Sequence, residues 1–299
     1  EEVAFRAGPF GGLFFFLPAD EERPGRLWSR AEARNRRGKG PSTMASERDR
    51  KKKKGGCLWR IVFWVALIVF IASVGTLGYL AWTYWSSQNE YDEIAQSAGP
   101  AVTEAEAAPE GINLADLVVD WDALREINPD VVAWVYMPGT MVNYPVAHKD
   151  GDSEYYLHHN FSLGEGSFGA EFGSIMLSGE NAGDFSDEVN ILYGHHMRNG
   201  SMFALFAELR DSDIFNEHRT IYLLTPEGNY RLQTFAVEHV PMTHSSIATP
   251  NYATDQEFSD FKQWLLDESI VAPDNDVAAL VTDATKLFGF CTCDGADNT

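Results

Sequence analysis

The chain has 299 residues and a net charge of −21, with 44% hydrophobic and 13% aromatic residues, which allows one or two domains with a real core. The charge is divided unevenly: residues 1–60 hold 15 Lys and Arg against 8 Asp and Glu, and the remainder holds 8 against 36. So acidic a second part argues against nucleic-acid binding there, because phosphate backbones are repelled by it.

Residues 1–43 are rich in Arg, Gly and Pro, show no sustained period and do not read as part of a fold. Met44 stands a few residues before a basic cluster and is the expected native start, the residues before it being upstream translation or a disordered extension. Arg48, Arg50, Lys51, Lys52, Lys53, Lys54 and Arg60 then lead into an apolar run from Ile61 to Trp82, with no charge between Arg60 and Glu90. An uncharged run beyond roughly 20 residues is long enough to cross a bilayer as a helix. Trp59 and Trp64 at one end, and Trp82, Tyr84 and Trp85 at the other, suit the two interfacial aromatic belts. A core helix is rarely apolar all round over this length, and a signal peptide has a shorter apolar region and a small-residue cleavage site. The expectation is a basic cytoplasmic segment at 1–57 and a single transmembrane helix at 58–85. The positive-inside rule puts the amino terminus in the cytoplasm and the chain beyond about residue 86 outside the cell. Beside a span, the lysine run is expected to meet lipid headgroups. Residues 86–111, rich in Ala, Glu, Ser, Gln and Pro, read as an extracellular tether, partly helical or not, leaving 112–299 as the folded domain.

That domain opens with apolar positions at helical spacing over 113–127, closed by Asn128-Pro129-Asp130. Strands are predicted at 131–137, 142–146, 174–177, 189–193, 220–224, 230–240, 277–282 and 286–293, separated by turn signals such as Pro138-Gly139. Helices are few, at 202–209 and 255–268. Many short strands with turns between them imply a mostly β barrel or sandwich. Met202, Phe203, Leu205, Phe206 and Leu209 form an apolar helical stripe and read as core.

The chemistry is carried by two strand ends. His195, in Tyr193-Gly194-His195-His196, follows one apolar strand, and Cys293 closes the run Phe288-Gly289-Phe290-Cys291-Thr292-Cys293. A thiol and a histidine brought together are the minimum for thiolate nucleophilic catalysis. Cys57 lies at the membrane border. Cys291 and Cys293 would close only a strained disulfide, and a disulfide-stapled domain would show spaced pairs. Cys291 therefore reads as a packed apolar thiol, His196 as structural, and His158 and His159 as loop histidines.

In that setting, Gly194-His195 after a strand and Thr292-Cys293 at a strand end strongly resemble a sortase, specifically class B, over about residues 111–299. Supporting stretches are 127–134, Met137-Pro138-Gly139-Thr140, Tyr144-Pro145-Val146, 155–161 and Gly194-His195-His196-Met197 with Gly200 and Met202-Phe203. Gly289 and Phe290 replace the first Thr and the Leu of the family's Thr-Leu-x-Thr-Cys strand. The resemblance implies a closed β-barrel with a few short helices behind one transmembrane helix. It also implies a transpeptidase in which Cys293 attacks a backbone carbonyl in a C-terminal sorting signal of a secreted protein, forming a thioacyl intermediate. His195 then protonates the leaving amine, and an amine of the peptidoglycan precursor or of a pilin resolves the thioester. No cofactor or metal is implied. The family's arginine on the strand after the cysteine is absent, since Asp294-Gly295-Ala296-Asp297-Asn298-Thr299 ends the chain; the expectation is that it and the final strand lie beyond Thr299. Arg198, Arg210, Arg219 and Arg231 fall elsewhere in the pattern.

Three other readings exist. Zinc held by His195, His196, Cys291 and Cys293 lacks the paired Cys-x2-Cys spacing of structural sites. A cell-wall cysteine peptidase commonly carries its cysteine early and its histidine later, the reverse of the order here. An inactive sortase-like binding module is supported by the missing arginine alone.

Overall fold

The computed structural model describes residues 56–100, 112–162, 172–240, 249–271 and 277–292. Met44, the lysines at 51–54, the segment 101–111 and Cys293 lie outside the described residues. Among the described residues the chain divides into two compact units, one up to Tyr79 and one from Leu80 onward.

Helix α1 (Gly56–Ala98) has 43 residues. Ile61, Val62, Phe63, Trp64 and Val65 are consecutive and each more than half exposed, so every face of the helix there is apolar. Among the described residues α1 is the one helix long and apolar enough to cross a bilayer. Its last turns correct the expected tether. Ser86 to Ala98 continue the same helix, and Thr83, Ser87, Tyr91, Ile94 and Ala98 are buried. Steps of four, four, three and four residues put these side chains on one helical face, and Tyr91, Ile94 and Ala98 join the main core.

The unit from Leu80 onward is mostly β. Its strands are β1 (Val131–Tyr136), β2 (Asn143–His148), β3 (Ile175–Leu177), β4 (Val189–Tyr193), β5 (Thr220–Leu224), β6 (Asn229–Gln233) and β7 (Leu287–Cys291). They form one seven-stranded sheet in the order β6-β5-β1-β2-β3-β4-β7, curled into a nearly closed barrel around Trp134, Tyr144, Tyr156, Phe161, Phe172, Phe203 and Phe215, all buried. The β2/β3 and β4/β7 pairs are parallel and the others antiparallel. Among the described residues, strands β6 and β7 end the sheet, and an apolar cavity of about 280 Å³ touches both, with Arg231, Leu232, Phe288 and Phe290 in its lining.

The helices depart from expectation in instructive ways. The helix expected at 113–127 is two pieces, a 3-10 turn (Leu114–Asp116) and α2 (Trp121–Ile127). Asn113 and Asp120 each cap one piece through a side-chain oxygen, and two caps within eight residues start two helices. Short helices α3 (Tyr155–His158) and α5 (Ser212–Glu217) were not anticipated, and α4 (Ala204–Glu208) and α6 (Asp255–Glu268) fall where expected. The strand expected at 277–282 is instead helix α7 (Val277–Asp283). A short apolar run does not distinguish strand from buried helix by period, and here the Lys262 ammonium decides the outcome by donating to the Thr282 and Ala284 carbonyls at 2.8 and 2.9 Å. A cation at these final carbonyls satisfies acceptors that a helix end leaves unpaired. The strand expected at 230–240 stops at Gln233, beyond which no ladder partner continues among the described residues.

Candidate active site

Strands β4 and β7 run side by side in register, from Val189 opposite Leu287 to Tyr193 opposite Cys291. The ladder extends one step further, the Gly194 amide donating to the Cys291 carbonyl at 3.0 Å. Both chains therefore leave the sheet at the same end, one toward His195 and the other toward Thr292. Alternation divides the side chains. Val189, Ile191, Leu287 and Cys291 are buried in a smaller core with Phe258 and Leu265 of α6, while Leu192, Phe288 and Phe290 pack in or against the main core. Cys291 is thus a buried apolar thiol, as its position suggested.

Gly194 is required by space: a Cβ there would lie 2.5 Å from Ile175 Cδ1 and 2.7 Å from Phe203 Cγ. With no side chain at 194 the strand end sinks against the Phe203 ring, and His195 emerges half-buried beside it. Two contacts fix His195. The Phe203 amide donates to its carbonyl at 3.0 Å, and its Nε2 lies 2.8 Å from the Leu157 carbonyl. A carbonyl only accepts, so Nε2 carries a proton in this contact. Gly173, at φ +56°, closes the other side; a Cβ on it would lie 2.6 Å from the Leu157 oxygen and 3.0 Å from His195 Cδ2.

Aromatic rings also line the α6 side of the sheet, reaching the start of β4, where the Tyr252 amide donates to the Glu188 carboxylate at 2.8 Å. Tyr252 stacks on Phe258 and Phe261, and Phe261 on Trp264, with centroids 5.7, 5.3 and 5.9 Å apart. Burial holds the Tyr193 hydroxyl well above the usual tyrosine range, with Cys291 and Glu180 pushing the same way. The structure thus sets His195 and Thr292 at one sheet end. His196 is held aside by a bridge to Met202. His159 stacks on Tyr155 at 4.1 Å, with Nδ1 2.7 Å from the Tyr155 carbonyl, and His158 is exposed. Arg198, Arg210 and Arg231 are exposed, and Arg219 donates to the Thr234 carbonyl at 3.0 Å. Among the described residues no group of three His, Cys, Asp or Glu side chains is arranged to hold a metal. Sequence reasoning missed Leu157 and Gly173, the latter one of four glycines between 164 and 173 and so not marked out by the sequence.

No family model matches the chain. Among characterised proteins it is 28% identical over 207 residues to sortase B of Listeria monocytogenes, spanning 69% of this chain and 80% of that protein. It is 27% identical over 176 residues to sortase B of Staphylococcus aureus, spanning 59% and 68%. Its fold matches the crystal structure of sortase B from B. anthracis with a TM-score of 0.53 at 24% identity, covering 76% of this chain and 93% of that one. The Clostridium perfringens sortase B structure gives a TM-score of 0.50 at 26% identity, covering 57% and 90%. A nearly closed β-barrel shared with these enzymes, together with sequence kinship over most of their length, makes the protein a sortase-type cysteine transpeptidase. The chain belongs to class B of the sortase family.

Proposed function

We propose that Cys293 is the nucleophile and His195 the general acid of a transpeptidase that acts on sorting signals of secreted proteins. The observation that carries this reading is the β4/β7 register. Tyr193 faces Cys291 across a parallel pair, and His195 and Cys293 each follow two residues later in the sequence, which supports their meeting at this end of the sheet. In the first step the Cys293 thiolate forms a bond to the carbonyl carbon of the scissile peptide, and the carbonyl π electrons move to oxygen. As that oxyanion collapses, the C–N bond breaks and the leaving amine takes a proton from His195, giving a thioacyl enzyme. An acceptor amine of the cell-wall precursor or a pilin then attacks the thioester and expels the thiolate, its surplus proton returning to His195.

On this reading α1 is a membrane anchor. The basic cluster ending at Arg60 lies before the apolar run and Glu90, Asp92 and Glu93 after it, a polarity that favours a cytoplasmic amino terminus and an extracellular catalytic domain. The bilayer, secreted substrate proteins and the accepting amine are then its partners, with no nucleic acid.

The test is cleavage of a mixed library of internally quenched peptides by the full-length protein in nanodiscs. Cys293→Ala and His195→Ala are each expected to lower cleavage by at least about a thousandfold, the scale set by loss of a nucleophile or its proton-transfer partner. Cleavage retained by Cys293→Ala would overturn the mechanism.

A further inference from the structure

We infer that Tyr91, on the helix that carries the apolar span, is a positioning residue for His195, so that its hydroxyl contacts, and not the packing of the helix as such, set the rate of the chemistry. Tyr91 does not touch His195. Its buried hydroxyl donates to the Gly173 carbonyl and accepts from the Phe161 amide at 3.2 Å. These two partners flank residues 162–172, so one hydroxyl ties the two flanks together. Ser174 tightens the same knot, its hydroxyl donating to the His159 carbonyl at 2.8 Å and its amide to the Tyr156 carbonyl at 2.7 Å. Leu157, whose carbonyl receives His195 Nε2–H, lies inside the stretch so held, and Gly173 is the residue packed against the imidazole edge.

A second route runs through the ring. Tyr91 meets Tyr144 edge-on, centroids 5.5 Å apart. The Tyr144 hydroxyl accepts from the Met202 amide at 3.0 Å, and the next amide, that of Phe203, donates to the His195 carbonyl. One side chain of α1 therefore supports both the imidazole and the backbone of His195. Glu90 reinforces it, accepting from Asn160 Nδ2 at 3.1 Å and Ser162 Oγ at 2.6 Å. Burial raises the Tyr91 hydroxyl above the usual tyrosine range, which keeps it a donor.

Removing this hydroxyl leaves the Gly173 carbonyl and the Phe161 amide unpartnered in a buried place, and the strand of chain carrying Leu157 relaxes. The inference rests on His195 being the catalytic histidine. The experiment compares full-length wild type, Tyr91→Phe, Ile94→Val, Glu90→Gln and His195→Ala in nanodiscs, with the library peptide that wild type cleaves fastest. It reads kcat, KM, the pH–rate profile and the melting temperature. Tyr91→Phe is expected to lose about tenfold in kcat, a displacement effect short of full loss, with KM unchanged. The limb of the pH–rate profile that His195→Ala removes is expected to move. Ile94→Val loosens the same helix without touching the knot and is expected to keep both kcat and profile. If Tyr91→Phe melts below the assay temperature, Glu90→Gln carries the test, with an expected loss of about threefold in kcat. Wild-type kcat and profile in the variant tested overturn the coupling, as does an equal loss in Ile94→Val. Undiminished activity in His195→Ala overturns the active-site reading instead.

Discussion

Replacing Gly173 by alanine tests how tightly the histidine is held. Gly173 sits at φ +56°, where a Cβ on an L residue costs roughly 1–2 kcal/mol. The added methyl would also lie 2.6 and 2.8 Å from the Leu157 and Tyr156 carbonyl oxygens and 3.0 Å from His195 Cδ2. Two of these three are backbone atoms, and the Tyr156 oxygen already takes the Ser174 amide, so a rotamer change does not relieve the contact. Overpacking of this kind costs a further 1–3 kcal/mol or about that. The sum of roughly 2–5 kcal/mol corresponds to a fall in melting temperature of about 5–15 °C for a domain of this size. Activity measured well below the melt is expected to fall by more than about tenfold, because relief by shifting Leu157 removes the acceptor of His195 Nε2–H. The assays are differential scanning fluorimetry and peptide cleavage on the same preparation. A variant with wild-type melting temperature and wild-type kcat would refute the reasoning at both steps.

Gly194→Ala pushes a methyl into Ile175 and the buried Phe203 ring, and an overpacking loss of about 1–3 kcal/mol in chemical denaturation is expected together with reduced kcat. Lys262→Met removes the donor to the Thr282 and Ala284 carbonyls and the cation 4.8 Å above the Phe258 ring. A loss of about 2–3 kcal/mol is expected, with hydrogen exchange quickening first in α7. Glu238 is buried, with one carboxylate oxygen lacking a hydrogen-bond partner. Burial, with Glu268 adding to it, pushes its carboxyl up to about 8 from an ordinary 4.5. The folded state then holds this proton more tightly than the unfolded chain, so the stabilisation is full below the ordinary value and is lost as pH rises through about 8. Glu238→Gln is expected to melt higher than wild type at pH about 9, by an amount equivalent to a few kcal/mol, and to show no such advantage at pH about 5. An advantage independent of pH would count against the assignment.

The strands were the legible part of this fold. Val189, Ile191, Leu192 and Tyr193 form a short apolar run, rich in β-branched and aromatic residues and bounded by turn signals, whose length and composition suit a strand. What was not legible depended on distant partners. The run 277–282 carries the composition of a strand and becomes α7 with Lys262, fifteen or more residues away, held against its last carbonyls. Residues 86–98 look like a spacer because Ala, Ser and Gln dominate, yet Ser87, Tyr91, Ile94 and Ala98 form a stripe whose spacing was readable and whose partner surface was not. At the site the two chemical groups are named by motif and strand position. Their supports are a backbone carbonyl at 157, a glycine at 173 and a tyrosine on α1, and none of these has a chemistry-bearing side chain in a recognisable pattern.

The central claim is that acyl transfer passes through Cys293 with His195 as the proton donor. The most direct measurement is intact-protein and peptide-mapped mass spectrometry of the full-length enzyme quenched with acid during turnover of its fastest-cleaved peptide, with no acceptor amine present. The account predicts an adduct with the mass of the amino-terminal cleavage fragment, mapped to Cys293 and absent from Cys293→Ala. An adduct on Cys291, which shares a peptide with Cys293 and is separable by fragmentation, or cleavage without any adduct in a protein that still works as Cys293→Ala, would contradict it.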